Sequence, residues 1–200
     1  MFLIQQITIL GKYMAEAKEH ITLSEIYRFL AQSMRYPDSD WLNDQYWAVL
    51  TTLLEELEWQ KAIDNLSNAR TEASDFLEDL QVEHTRLFIN ALPSVLAPPY
   101  ASVYIGTDGS LYGPFAEKTK AFYRQKGYSL AQDDLPDHIV YELEFLAILS
   151  EEDQEACEEF LKTLFLPWFP QFCERVLSEA QHTFYPVMVQ LIDFFTRQEP

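Results

Sequence analysis

Apolar residues in this chain recur at three- and four-residue intervals, the spacing that places them on one face of a helix. Thr22-Leu23-Ser24-Glu25 offers a capping hydroxyl with an acid three residues on, ahead of Ile26, Tyr27, Phe29, Leu30 and Met34. Tyr36-Pro37 stops that helix, and Asp38 or Asp40 is expected to cap the next. Its apolar set, from Trp41 through Trp47, Leu50 and Leu54 to Leu57, is broad enough for a core-facing helix. A looser amphipathic stretch from Trp59 to Leu66 precedes a long helix expected from about Arg70 to Leu92. Further on, Pro114 starts a helix that Gly127 ends, and Pro136 starts another at Asp137. Glu152 to Leu166, Pro170 to Leu177 and Thr183 to Thr196 complete the pattern. No period of 20–50 residues recurs, which excludes a solenoid.

The pattern breaks once, and the break organises the rest. Ala97-Pro98-Pro99 cannot continue a helix, because neither proline donates and each pushes its predecessor into extended geometry. Tyr100-Ala101-Ser102-Val103-Tyr104 follows, with its rings spaced as an extended segment would place them on one side. Three of the five glycines, Gly106, Gly109 and Gly113, come next. Asp108-Gly109 between Val103-Tyr104-Ile105 and Leu111-Tyr112 is a short hairpin signal. The expectation is all-α: one helical domain, 1–200, of about 8–10 helices. A Pro/Tyr/Gly-rich central loop, 96–114, joins an N-terminal lobe, about 1–95, to a C-terminal lobe, about 115–200. The loop reads as both a crossing between lobes and a binding surface.

Two hundred residues suffice for a core burying roughly 70% of the unfolded chain's surface. At 48% hydrophobic and 14% aromatic, the chain is not disordered. Fourteen basic against 32 acidic residues give a net charge of −18, which repels nucleic acid and anionic membrane. That field attracts a basic peptide, and it also serves plain solubility. Cys157 and Cys173 have no Cys-x-x-Cys spacing and read as buried packing in a reducing compartment. The apolar start, Met1 to Leu10, lacks a basic n-region and is too short to span a membrane, and Met14 is an alternative start. A cytoplasmic protein without membrane insertion is expected.

Candidate chemistry is sparse. Glu179-Ala180-Gln181-His182 is a lone Glu-x-x-His where a di-metal bundle needs two. His138 and Glu142, one turn apart with Asp134 and Asp137 nearby, make a better capping cluster than a zinc site. Lys118-Thr119 has Glu117 where a P-loop needs glycine, so phosphate is opposed there. In Pro136-Asp137-His138, Asp137 at a helix start is expected to accept backbone N–H groups. On a functional reading, Asp137, His138 and Glu142 form an anionic edge beside the loop tyrosines, suited to a basic, partly apolar peptide. His138, near its ordinary pKa of about 6.5, is then charged or neutral at cytoplasmic pH.

Glu83-His84-Thr85-Arg86-Leu87-Phe88, Pro98 to Tyr104, Pro136-Asp137-His138 running into Glu142-Leu143, and Pro167-Trp168-x-Pro170-x-Phe172 follow in order. Together they resemble the TorD/DmsD family of molybdoenzyme maturation chaperones, over roughly Ser24 to Phe195. The resemblance implies a helical chaperone with no catalytic cycle. Such a protein binds a twin-arginine signal peptide or the apo-form of a redox enzyme, assists molybdenum cofactor insertion and delays export. By motif, Pro98, Pro99, Tyr100, Ser102 and Tyr104 form one wall of the client site. Asp137, His138 and Glu142 form the other, with Glu83 in support. Where the family has Glu-Tyr this chain has Glu83-His84, and Leu164 stands where a histidine is usual.

The resemblance implies no resident cofactor, with weak guanine nucleotide binding known among relatives, and either a monomer or a domain-swapped homodimer. Three other readings remain at this point: an acidic helical adaptor, a chaperone for a metal-dependent hydrolase, and a metal-dependent helical enzyme.

Overall fold

The computed structural model describes residues 21–197 apart from 93, 107–110 and 132–133. The expectations for residues 1–10, for Met14 and for the Asp108-Gly109 turn lie outside them. Ten α-helices occupy the described chain: α1 Leu23–Ser33, α2 Asp44–Glu56, α3 Gln60–Glu72, α4 Phe76–His84, α5 Ala101–Ile105, α6 Pro114–Gln125, α7 Ile139–Glu152, α8 Gln154–Phe160, α9 Phe169–Glu179 and α10 Phe184–Thr196. The all-α expectation holds.

Local chemistry sets most boundaries. Thr22 Oγ1 accepts from Glu25 N at 3.2 Å, and Glu25 Oε2 accepts from Thr22 N at 2.7 Å, a complete capping box for α1. α2 is capped by Asn43, not by Asp38 or Asp40: its Oδ1 takes the N–H groups of Gln45 and Tyr46. Asp38 instead folds the preceding turn, accepting from Asp40 N at 2.8 Å. Gly127, at φ +87°, lets the chain leave α6 in the left-handed region.

The single long helix expected from Arg70 is two. α3 ends at Glu72, Ala73 turns extended, and Asp75 caps α4 by accepting from Glu78 N at 3.1 Å. The apolar phase carries across the break, so periodicity alone does not see it. After α4 the ladder widens to a π turn, Thr85–Ile89, closed by Asn90 N to Thr85 O at 2.8 Å. α8 likewise runs into a π turn at Leu161–Phe165 where one helix from Glu152 to Leu166 was expected. Val103-Tyr104-Ile105, expected in a hairpin, lies in α5.

One buried cluster runs through the described chain. α1, from before the central segment, makes its largest helix contact with α7, from after it, and also packs on α10. Tyr27 in α1 donates its hydroxyl to Phe195 O at 3.1 Å, tying the first helix to the last. Trp168 is fully buried at the start of α9, among Phe165, Phe169 and Phe172. No described helix is long and apolar enough to cross a membrane.

Candidate functional site

Two irregular segments meet where α5 and α7 begin. Pro98-Pro99 and Pro136 keep both segments out of helical geometry just before those starts, which frees their backbones to pair. Ala101 N donates to Asp137 O at 3.0 Å, and Ile139 N donates to Pro99 O at 3.0 Å. Tyr100 and His138 form an antiparallel bridge, with ring centroids 4.9 Å apart in an edge-on contact. The proline loop and the Asp137-His138 pair, 35 residues apart in sequence, are therefore neighbours in space.

Within this knot the capping roles differ from expectation. α7 begins at Ile139 and its cap is His138, whose Nδ1 accepts from Val140 N at 3.2 Å. Asp137 caps the other helix: its Oδ2 accepts from Ser102 N at 2.7 Å. Tyr100, the N-cap of α5, has no side-chain acceptor to offer, and Asp137 supplies one from a distant part of the chain.

A cleft of about 440 Å³ opens beside the knot. Tyr36, Tyr100, Tyr141, Arg35, His84 and His138 line it, with Phe88 and Val140 contributing apolar surface. Its charges are already engaged. Arg35 bonds Glu144 at 2.5 Å, and Asp134 accepts from the Tyr141 hydroxyl at 2.7 Å. Burial holds His84 down to about 4. Burial, followed by the neighbouring His84 and Arg35, holds His138 down to about 4 as well. Both imidazoles are neutral at neutral pH, which corrects the expectation of a histidine poised near 6.5. The cleft is aromatic and hydrogen-bonding, with Asp134 the one acid in its described lining.

Of the residues singled out from the sequence, Pro99, Tyr100 and His138 line this cleft. Pro98 is half-buried beside it. Ser102, Tyr104, Asp137, Glu142 and Glu83 are buried. Tyr104 does not share a wall with Tyr100: it packs on Trp168 at 5.7 Å, with the Arg175 guanidinium over its ring at 5.0 Å. Glu142 accepts from Trp168 Nε1 at 2.9 Å. Asp137 and Glu142, expected as an anionic edge, present no surface to a ligand here, since both have 0% exposure.

Glu83 supports a different place from the one expected. Its carboxylate takes Arg86 Nε at 2.7 Å, Gln181 N at 2.6 Å and His182 N at 3.1 Å, holding the turn before α10. Burial pushes that carboxyl up, but Arg86 and the two N–H groups outweigh it and hold it below the usual range. Sequence reasoning missed Arg35, Tyr36, His84 and Tyr141 in the cleft. The available signal was His84 itself, an aromatic-sized ring one residue after Glu83, where it was read only as a departure from pattern. A larger groove, about 1010 Å³, runs between the start of α3 and α9–α10; Cys173 and His182 line it, but none of the residues expected at the client site does.

Comparison with known proteins agrees with the motifs. The family model described as nitrate reductase delta subunit matches residues 50–174. A "Tat proofreading chaperone DmsD" of Salmonella typhi is 32% identical over 119 residues, covering 57% of each chain. A "Chaperone protein TorD" of Vibrio vulnificus (strain YJ016) is 30% identical over 113 residues, 50% of this chain and 53% of that one. The chain thus matches a little over half the length of these curated relatives. The crystal structure of a redox enzyme maturation protein from Archaeoglobus fulgidus superposes with TM-score 0.60 at 26% identity, covering 91% of this chain and 98% of that one. With more than half its length matched by the family model, this chain belongs to the nitrate reductase delta subunit family, among the TorD/DmsD-type proteins its motifs resemble.

Proposed function

We propose that this protein is a cytoplasmic, system-specific chaperone that turns nothing over. It binds the twin-arginine signal peptide or the apo-form of a molybdenum-cofactor redox enzyme, and holds it for cofactor insertion before export. The observation that carries this reading is the aromatic cleft beside the Tyr100–His138 bridge, built from two of the segments on which the family resemblance rests. Support comes also from the names of the relatives, a Tat proofreading chaperone, a TorD chaperone and a redox enzyme maturation protein. No cofactor is needed for it.

The chemistry of the cleft selects which part of a signal peptide enters. A guanidinium placed there would lose water and meet Arg35 and two neutral imidazoles, with Asp134, already accepting from Tyr141, as the one acid in the described lining. An apolar segment loses nothing of that kind and covers the rings of Tyr100, Tyr36 and Tyr141. The arginines are instead drawn by the net charge of −18 on the molecule as a whole. Titration calorimetry with a signal peptide tests this: shortening the apolar run abolishes cleft binding, whereas replacing the arginine pair weakens it mainly at low salt. Binding that depends only on the arginines contradicts the assignment, and favours an acidic adaptor for which the cleft is irrelevant.

A further inference from the structure

We propose that Glu142 keeps its proton and, with Asp137, clamps the inner wall of the cleft to the C-terminal core, both as positioning residues that never touch the cleft's occupant. The binding part of this inference rests on the proposed function; the proton on Glu142 does not. Both carboxyls are fully buried. One Asp137 oxygen accepts from Ser102 N, and one Glu142 oxygen accepts from Trp168 Nε1. The remaining oxygen of each, Asp137 Oδ1 and Glu142 Oε1, is buried without a hydrogen-bond partner. Among the described residues neither carboxyl has a cation: Arg35 is bonded to Glu144, and Arg175 lies over the Tyr104 ring.

A fully buried carboxyl with no counter-ion keeps its proton. Asp137 has a backbone N–H to accept at the start of α5. Glu142 has only the Trp168 indole N–H and is the acid. Burial first, then the charge of Asp137, pushes its carboxyl well up, and the Trp168 bond offsets this only in part. A protonated Glu142 still accepts from Trp168 through Oε2, and its proton sits on Oε1, the oxygen left without a donor.

The groups facing the pair support a closed site. From α6, Tyr123 donates its hydroxyl to Pro136 O at 2.8 Å and feels both acids. From α5, the Tyr104 hydroxyl is buried, and Tyr100 feels the Asp137 charge. On α7, Glu144 turns outward to Arg35, and His138 before it is neutral. The clamp therefore joins the start of α5, the start of α7 and Trp168, and with them the Pro99–Tyr100 wall. Loss of the proton would leave a buried, unpaired anion at that joint and loosen the wall from the core.

Carboxyl carbon NMR on the full chain, labelled at aspartate and glutamate, tests the proton directly across pH 3–9. One glutamate resonance is expected to stay in its protonated position through neutral pH, and to vanish in E142Q. Denaturant unfolding gives an independent readout. Relative to E142Q, the folded-to-unfolded ratio of the wild-type protein should fall about tenfold per pH unit above an ordinary carboxyl pKa of about 4.3, because only the folded state keeps the proton. Signal-peptide affinity should drop in E142A and recover in E142Q. All glutamates ionising below pH 6, with E142Q following the wild-type pH profile, overturns the proposal; so does E142Q binding no better than E142A. If E142Q does not fold, the titration of the wild-type protein still decides. A peptide that fails to bind the wild-type protein counts against the proposed function and leaves the proton measurement standing.

Discussion

His84 and His138 illustrate how burial rather than residue type sets chemistry. Each has its pKa depressed to about 4 from 6.5. A depressed histidine favours the folded state while it is neutral, so its contribution is complete above pH 6.5 and is lost as pH falls towards 4. Stability should therefore decline between those values, and His84→Gln should shrink the decline; an identical pH profile in that variant contradicts the assignment. Client affinity should be flat from pH 6 to 8, since neither ring titrates there, and a step within that range would show a charged His138. Trp168 is a second residue-scale case. It is fully buried and bonded to Glu142, so Trp168→Ala should cost about 3–5 kcal/mol in chemical denaturation, from the cavity it leaves. A loss below about 1 kcal/mol would mean that the site collapses without consequence. The sequence made Asp137 and His138 visible as a polar pair at a helix start. Which helix each one caps was not legible, because the partner of Asp137, Ser102, lies 35 residues away.

At the scale of elements, periodicity found nearly every helix and missed their interruptions. The Thr22 box, Pro114 and Gly127 were legible because a few adjacent residues determine each of them. The break at Ala73–Asp75 was not, because the apolar phase continues through it. The π turns were not either, since one extra residue per turn leaves no compositional mark. In the central segment, Tyr100 and Tyr104 sit on one side of an extended chain in the sequence reading. In α5 they go to separate neighbours, His138 and Trp168, so only one reaches the cleft. A local prediction follows from the best-formed cap. Thr22→Ala removes the acceptor for Glu25 N and should cost about 1 kcal/mol in urea unfolding, with no change in client affinity. No measurable cost would mean that α1 is held by its packing on α7 alone.

For the whole molecule, the proposed function divides the work: a net charge of −18 sets the long-range field and the aromatic cleft is to set the contact. Association with an arginine-bearing signal peptide should slow as salt rises, because exposed charges are screened over about 8 Å at physiological ionic strength. The dissociation rate should change much less, because the cleft contact is apolar. Equal salt effects on both rates contradict that division of labour. The account stands most directly on the cleft itself. The deciding measurement is signal-peptide affinity by calorimetry for wild-type protein against Tyr100→Ala and His138→Ala, with circular dichroism on each variant. The account predicts a loss of affinity of at least about tenfold in both, equivalent to about 1.4 kcal/mol, with helical content retained. Wild-type affinity in both variants, at unchanged helicity, would contradict it.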